Sequence, residues 1–190
     1  ALPARPLAAR VRAGEDVVEV VKKTTTKHDL NHLPLWVETR TFELRAIVAS
    51  ITRAVRKNGI QFAVVDHVGL VRTDRGLKRY EQLGEVTRTF KQLAESLGIT
   101  IVILIQIGRD VEKEKRRPTL ADLRESGDLE QNLNACIFLH PRLDAVPGKI
   151  VELEIGLLKN RYGPKGWLQT PFEFCGSVQQ LRQISAAESA

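Results

Sequence analysis

The sequence predicts an α/β protein built on a mostly parallel central sheet, with an antiparallel hairpin appended toward the carboxyl end. Three observations carry this. Two unbroken apolar runs, Phe62-Ala63-Val64-Val65 and Ile101-Val102-Ile103-Leu104-Ile105, each close on a polar residue, Asp66 and Gln106. Such runs are what strands buried on both faces look like, as parallel sheets require. Amphipathic helical stretches precede each run, so the order strand, helix, strand, helix, strand calls for right-handed crossovers. Beyond Gly148 the pattern changes to partial alternation around a Gly-Pro turn, which reads as a hairpin.

The elements follow in order. Residues 1–14 read as a short Arg-bearing helix or an ordered lead-in, and residues 15–23, rich in Val, fit helix or strand equally. Thr24-Thr25-Thr26 makes a poor helix interior and a fair turn. Leu33-Pro34 breaks the chain, and Leu35-Trp36-Val37 reads as a short strand. From Phe42 the pattern is helical: Leu44, Ile47, Val48, Ile51 and Val55 share one face, with Thr41 as N-cap and Lys57-Asn58-Gly59 as the stop. The strand ending at Asp66 comes next, then a polar loop from Arg72 to Arg79. A second helix, Tyr80 to Leu97, carries Leu83, Val86, Phe90, Leu93 and Leu97 on one stripe and stops at Gly98. The strand from Thr100 to Ile107 is expected to be fully buried. Gly108 to Pro118 is a dense charge run, and Thr119-Leu120-Ala121-Asp122 resembles a capping box. Asp128 to Leu133 reads as a helical turn and Ala135 to Leu139 as an apolar strand. Ile150 to Leu158 and Trp167 to Phe174 form the hairpin arms. Residues 1–178 are expected to form one incomplete domain, and residues 179–190 a polar tail that frays from Gln180.

Composition bounds the function classes. At 190 residues, 43% hydrophobic and 27% charged, the chain is long enough for one domain with its own core. A net charge of +6 raises the expectation of a polyanionic partner, DNA or RNA. The two cysteines, Cys136 and Cys175, lie far apart without metal-ligand spacing, and Cys136 reads as a small buried hydrophobe. No apolar run reaches the length of a membrane span and no signal peptide is visible, so a cytoplasmic protein without a membrane partner is expected. The chain has no Met and begins at Ala1, which fits a trimmed initiator or a piece of a longer chain.

Five groups of residues could carry chemistry, and the first four have a plainer reading beside the functional one. Asp66, at a strand end where α/β sheets bind ligands, could hold Mg²⁺ through water beside a nucleotide phosphate, or could serve only capping and solvation. Gln106 could orient water or sense a γ-phosphate, or simply meet solvent. Lys159 and Arg161, two residues apart, point the same way on a strand and could neutralise charge on a transferred phosphoryl group, or could be solubilising charges at an exposed turn. The run from Arg109 to Arg117 is a solvated loop or a contact for phosphates. The Arg124-to-Gly127 loop offers a guanidinium, a hydroxyl and a backbone N–H, groups that hold nucleic-acid phosphates without reading sequence.

The order of these segments carries more than any one of them. Phe62 to Asp66, the helix Arg88 to Gly98, the strand ending in Gln106, the stretch Arg116 to Gln131 with its Arg-Glu-Ser-Gly…Glu-Gln, and Lys159-Asn160-Arg161-Tyr162-Gly163-Pro164-Lys165-Gly166 together resemble the RecA-like motor domain of DnaB-type replicative hexameric helicases. Leu33 to Val55 also looks like the family's preceding strand and helix. The resemblance implies a RecA-like three-layer sandwich, incomplete here, and a hexameric ring around single-stranded DNA with ATP and Mg²⁺ between neighbouring subunits. It implies that Asp66 is the Walker B acid and metal-holding group, Gln106 the sensor, and Lys159 and Arg161 trans-acting fingers. It further implies that Arg124, Glu125 and Gly127 grip the DNA backbone beside a loop from Arg109 to Arg117 that includes Arg116. A helicase loader or a primase is the further partner.

The chain also departs from the family pattern. His67-Val68-Gly69 stands where Tyr-Leu-Gln is usual, Ile105-Gln106-Ile107-Gly108-Arg109 where Ser-Gln-Leu-Asn-Arg is usual, and Asn132-Leu133-Asn134-Ala135 where an Asp-Ala-Asp run is usual. Such departures mark a divergent relative, of the kind a phage or prophage carries. No G-x-x-x-x-G-K-[ST] loop occurs, and the catalytic Glu would precede Ala1, so the chain alone is expected not to hydrolyse ATP. Two alternatives stand beside the helicase motor: a truncated, non-catalytic paralogue that binds DNA or joins a ring, and another RecA-like ATPase such as a recombinase or clock-type ring protein.

Overall fold

The computed structural model describes residues 34–73, 78–108, 111, 114–123, 129–142, 150–168, 172–176 and 180–184. Everything expected of residues 1–33 lies outside them. Helix α1 (Leu44–Asn58) forms as its apolar spacing requires, with Leu44 and Ile51 buried. It stops at Gly59, whose φ of 67° is left-handed and whose N–H closes on the Val55 carbonyl. Thr41 is not the N-cap. Glu43 holds that position without a side-chain cap, because the Leu44 N–H is satisfied by the Arg72 carbonyl at 2.8 Å. Helix α2 (Arg79–Leu97) buries Val86, Phe90 and Leu93, and Gly98 ends it in the same left-handed way.

Strands β1 (Phe62–Val65) and β2 (Thr100–Ile103) pair in parallel, Phe62 opposite Thr100 and Val65 opposite Ile103. They are not buried on both faces. Ala63, Val65, Ile101 and Ile103 turn onto the core of α1 and α2, whereas Phe62 and Val64 are 56% and 55% exposed. The helices cover one face of the pair and leave the other open, so an unbroken apolar run sits in a strand with alternating burial. Leu35-Trp36-Val37 forms no strand and all three residues are exposed. They have no pairing partner among the described residues.

Among the described residues β1 and β2 are the parallel strands, with one isolated parallel bridge between Glu43 and Arg72 beside them, so the sheet content is not mostly parallel. The larger sheet is antiparallel: β3 (Ala135–Pro141), β4 (Ile150–Asn160), β6 (Phe172–Cys175) and β7 (Gln180–Gln183) lie in that order, with β5 (Gly166–Trp167) also on β4. Gln180 to Gln183 therefore do not fray. They pair with β6, and Ile184 beyond them is buried, so the packed part runs past residue 178. Between the sheets lie a 3-10 turn, Leu120–Leu123, and a four-residue helix α3 (Leu129–Asn132), which packs on α2. Half of the expected capping box forms: the Thr119 N–H and hydroxyl donate to the Asp122 carboxylate at 2.7 and 3.0 Å, while the Asp122 N–H donates to the Thr119 carbonyl at 3.0 Å rather than to the hydroxyl. One buried core of Leu44, Ile51, Val68, Val71, Val86, Phe90 and Leu93 holds the helices to the parallel pair. Each such side chain contributes about 1.5–3 kcal/mol of burial.

Candidate nucleotide and nucleic-acid site

Asp66 follows β1 directly and is exposed, and among the described residues it makes no hydrogen bond or ion pair. Backbone bonds from Leu104 N–H to the Val65 carbonyl and from Val68 N–H to the Leu104 carbonyl, both 3.0 Å, lock the strand end that carries it. His67 then caps a 3-10 turn, its Nδ1 accepting from Gly69 N–H at 3.2 Å. Gln106 is also exposed but does not end its strand. β2 stops at Ile103, level with Val65, because β1 turns away after that pair and leaves residues 105–107 without a strand neighbour among the described residues. Asp66 and Gln106 still leave the same carboxyl edge, the edge at which parallel α/β sheets receive ligands. No cluster of three His, Cys, Asp or Glu occurs among the described residues. One lone, exposed carboxylate fits Mg²⁺ that takes most of its ligands from water and phosphate, and does not fit an all-protein cage.

Lys159 is the last residue but one of β4, and Arg161 opens the turn after it. Both reach α3: Lys159 Nζ donates to the Glu130 carbonyl, and Arg161 Nη2 to the Gln131 carbonyl at 3.3 Å. Arg161 N–H also donates to the Asn134 carbonyl at 2.9 Å. Partial burial, helped by the Arg161 charge, lowers the Lys159 pKa. Asn160 shapes the turn, donating to the Pro164 carbonyl at 3.1 Å and accepting from Tyr162 N–H at 3.2 Å. Opposite Lys159 in the ladder is Cys136, whose thiol burial pushes up to about 11, which makes it an inert packing group.

The arginines expected at DNA divide into two sets. Arg109, Arg124, Glu125 and Gly127 lie outside the described residues. Arg116 and Arg117 are held by acids of the chain itself. Arg116 forks onto Asp122 at 2.8 and 2.6 Å and reaches Glu114 at 2.5 Å. Arg117 forks onto Glu154 at 2.7 and 2.5 Å and lies 5.1 Å over the Trp167 ring. Their partners hold the Asp122 and Glu154 carboxyls below the usual carboxylate range. The partner residues Glu154 and Trp167 were not singled out from sequence, because a contact across 37 positions leaves no local pattern.

With this geometry in place, comparison with known proteins defines the class. In fold the chain is similar to a solved ATPase domain (TM-score 0.66, 26% identity, 75% of this chain and 52% of that one). It is also similar to a DnaB-like replicative helicase solved in a study of its interactions with primase (TM-score 0.68, 25% identity, 78% of this chain and 37% of that one). A KaiC-like protein of Pyrococcus horikoshii shares the fold at 13% identity (TM-score 0.57, 90% of this chain and 72% of that one). The chain belongs to the DnaB-like helicase C-terminal domain family, whose profile matches residues 7–182. Among its relatives are the replicative DNA helicases DnaB of Mycoplasma pneumoniae, 28% identical over 94% of this chain, and of Treponema pallidum, 35% identical over 70%. The matches span 40% and 28% of those two proteins' lengths.

Proposed function

We propose that this chain is part of an ATP-dependent replicative DNA helicase of DnaB type, which moves along single-stranded DNA and unwinds duplex. The single observation that carries this reading is the pairing of two edges. Asp66 and Gln106 leave one end of the parallel pair, and Lys159 and Arg161 stand together at the end of β4. In this reading the fold is an incomplete RecA-like three-layer sandwich, and the residues through Ile184 belong to the motor part. Family membership and the likeness to the solved ATPase domain and DnaB-like helicase support it.

Asp66 holds Mg²⁺ through water, and bound Mg²⁺ neutralises charge on the ATP phosphates. Gln106, which leaves the same edge, senses the γ-phosphate. Lys159 and Arg161 act on the ATP of the next subunit in a hexameric ring. To do so they exchange neutral carbonyls for phosphate oxygens, an exchange that favours the charged partner. Arg109, Arg124, Glu125 and Gly127 hold the DNA backbone. Arg116 and Arg117, already paired with acids, brace that region. A primase or a loader is the further protein partner, and the setting is cytoplasmic. Among the described residues no helix is long and apolar enough to cross a membrane.

The test uses the ATP-hydrolysing ring. Arg161→Ala is expected to abolish turnover while ATP still binds, and normal turnover removes the finger role. Asp66→Asn is expected to weaken Mg²⁺-dependent ATP binding, and unchanged Mg²⁺ dependence returns Asp66 to capping and solvation.

A further inference from the structure

Thr87 is the one buried polar residue recorded in the described core, 3% exposed on α2. Its hydroxyl has a single proton, and the Leu83 and Gly84 carbonyls, at 2.9 and 3.1 Å, take it. The Thr87 oxygen can then only accept. Asn132 supplies the donor, its Nδ2 lying 3.1 Å from Thr87 Oγ1 across 45 positions of sequence. Asn132 closes α3, and the carbonyls of Glu130 and Gln131 in the same turn have no later N–H of that helix to receive. Those two carbonyls are the ones that take Lys159 Nζ and Arg161 Nη2. Two sets of hydrogen bonds, joined by the backbone of α3, thus connect the middle of α2 to both cations at the end of β4.

We infer that Asn132, held by Thr87, is a positioning residue for Lys159 and Arg161. A carboxylate there has no proton to give, but it can take the hydroxyl proton from the Leu83 and Gly84 carbonyls in a charge-assisted bond, so donor and acceptor exchange roles and the contact survives. An apolar side chain at either position breaks the contact, and the two carbonyls that hold the cations then move. This rests on the reading of Lys159 and Arg161 as fingers for its meaning in catalysis, though its geometry does not depend on that reading.

The experiment is amine-reactive labelling of the whole chain read by mass spectrometry, with Lys57 on the far helix as internal reference. Asn132→Leu and Thr87→Val are each expected to raise the labelling rate of Lys159 over that of Lys57. The rise should be roughly fivefold, the factor that one net hydrogen bond carries. Thr87→Ser, which keeps the hydroxyl, should restore the native rate, and Thr87→Val with Asn132→Leu should give no more than either change alone. Unchanged Lys159 labelling in Asn132→Leu, or additive effects in the double variant, overturns the inference. So does Lys57 labelling that rises in step with Lys159, since the change is then general loosening. In the ATP-hydrolysing ring, Asn132→Leu should lower kcat about tenfold and leave KM for ATP within about twofold. A raised KM with unchanged kcat also overturns it. Full turnover of Arg161→Ala sinks the finger reading instead, and leaves the labelling result standing.

Discussion

Arg117 forks onto Glu154 with two hydrogen bonds of 2.7 and 2.5 Å and covers the face of Trp167 at 5.1 Å. One side chain thereby ties the charged stretch before Pro118 to the middle of β4, five residues ahead of Lys159. Arg116 does the same work locally through Asp122. The two arginines expected to face nucleic acid therefore act first as struts.

That assignment has a consequence for DNA binding. In a salt titration of single-stranded DNA affinity, Arg117→Ala is expected to leave the slope of log K against log salt unchanged. Arg124→Ala should reduce the slope by about 0.7, as loss of one single-strand phosphate contact does. A reduced slope in Arg117→Ala would make that side chain a phosphate contact after all.

The struts also set an acid limit. Asp122 and Glu154 have pKa values lowered in the folded chain, mainly by hydrogen bonds from Arg116 and Arg117 respectively. The unfolded chain, with carboxyls near the ordinary value of about 4, binds more protons than the folded one across this window. Stability is thus full above roughly pH 5 and falls as pH drops through the lowered folded values. Chemical denaturation from pH 7 down to pH 3 should show the decline, and Asp122→Asn with Glu154→Gln should flatten it.

Gly156 is required by the same assembly. A Cβ on it would sit 2.9 Å from Cδ2 and Cε3 of Trp167, inside the indole ring's contact distance. Gly156→Ala is expected to push the ring off the strand and cost about 1–3 kcal/mol, the usual range for overpacking. Tryptophan fluorescence and urea unfolding together read both effects.

In the core, Phe90 is 3% exposed and central to the α2 stripe. Phe90→Ala should cost about 3–5 kcal/mol by urea unfolding, enough to remove most of a small domain's margin.

Local patterns made much of this legible. The 3.6-residue spacing of Leu44 to Val55 and Leu83 to Leu97 gave both helices, and Gly59 and Gly98 marked their ends. The apolar runs located β1 and β2. What the runs could not say was how many faces would be covered, so Phe62 and Val64 came out exposed. The end of β2 at Ile103 depends on where its partner turns away, which the β2 residues do not encode. Lys159 and Arg161 were visible as a pair in the sequence. Their holders, the Glu130 and Gln131 carbonyls, are backbone groups that no residue pattern reveals. Asn132 looked only like a departure from the family's Asp, and its partner Thr87 lies 45 positions away.

The central claim is that Asp66 and Arg161 serve one ATP from two different subunits. Mixing Asp66→Asn subunits with Arg161→Ala subunits in one ring tests it most directly. Where an Arg161→Ala subunit offers its intact Asp66 to the intact Arg161 of an Asp66→Asn neighbour, a complete site forms, so the mixture should hydrolyse ATP although each variant alone does not. A mixture no more active than the sum of the two variants would contradict the account.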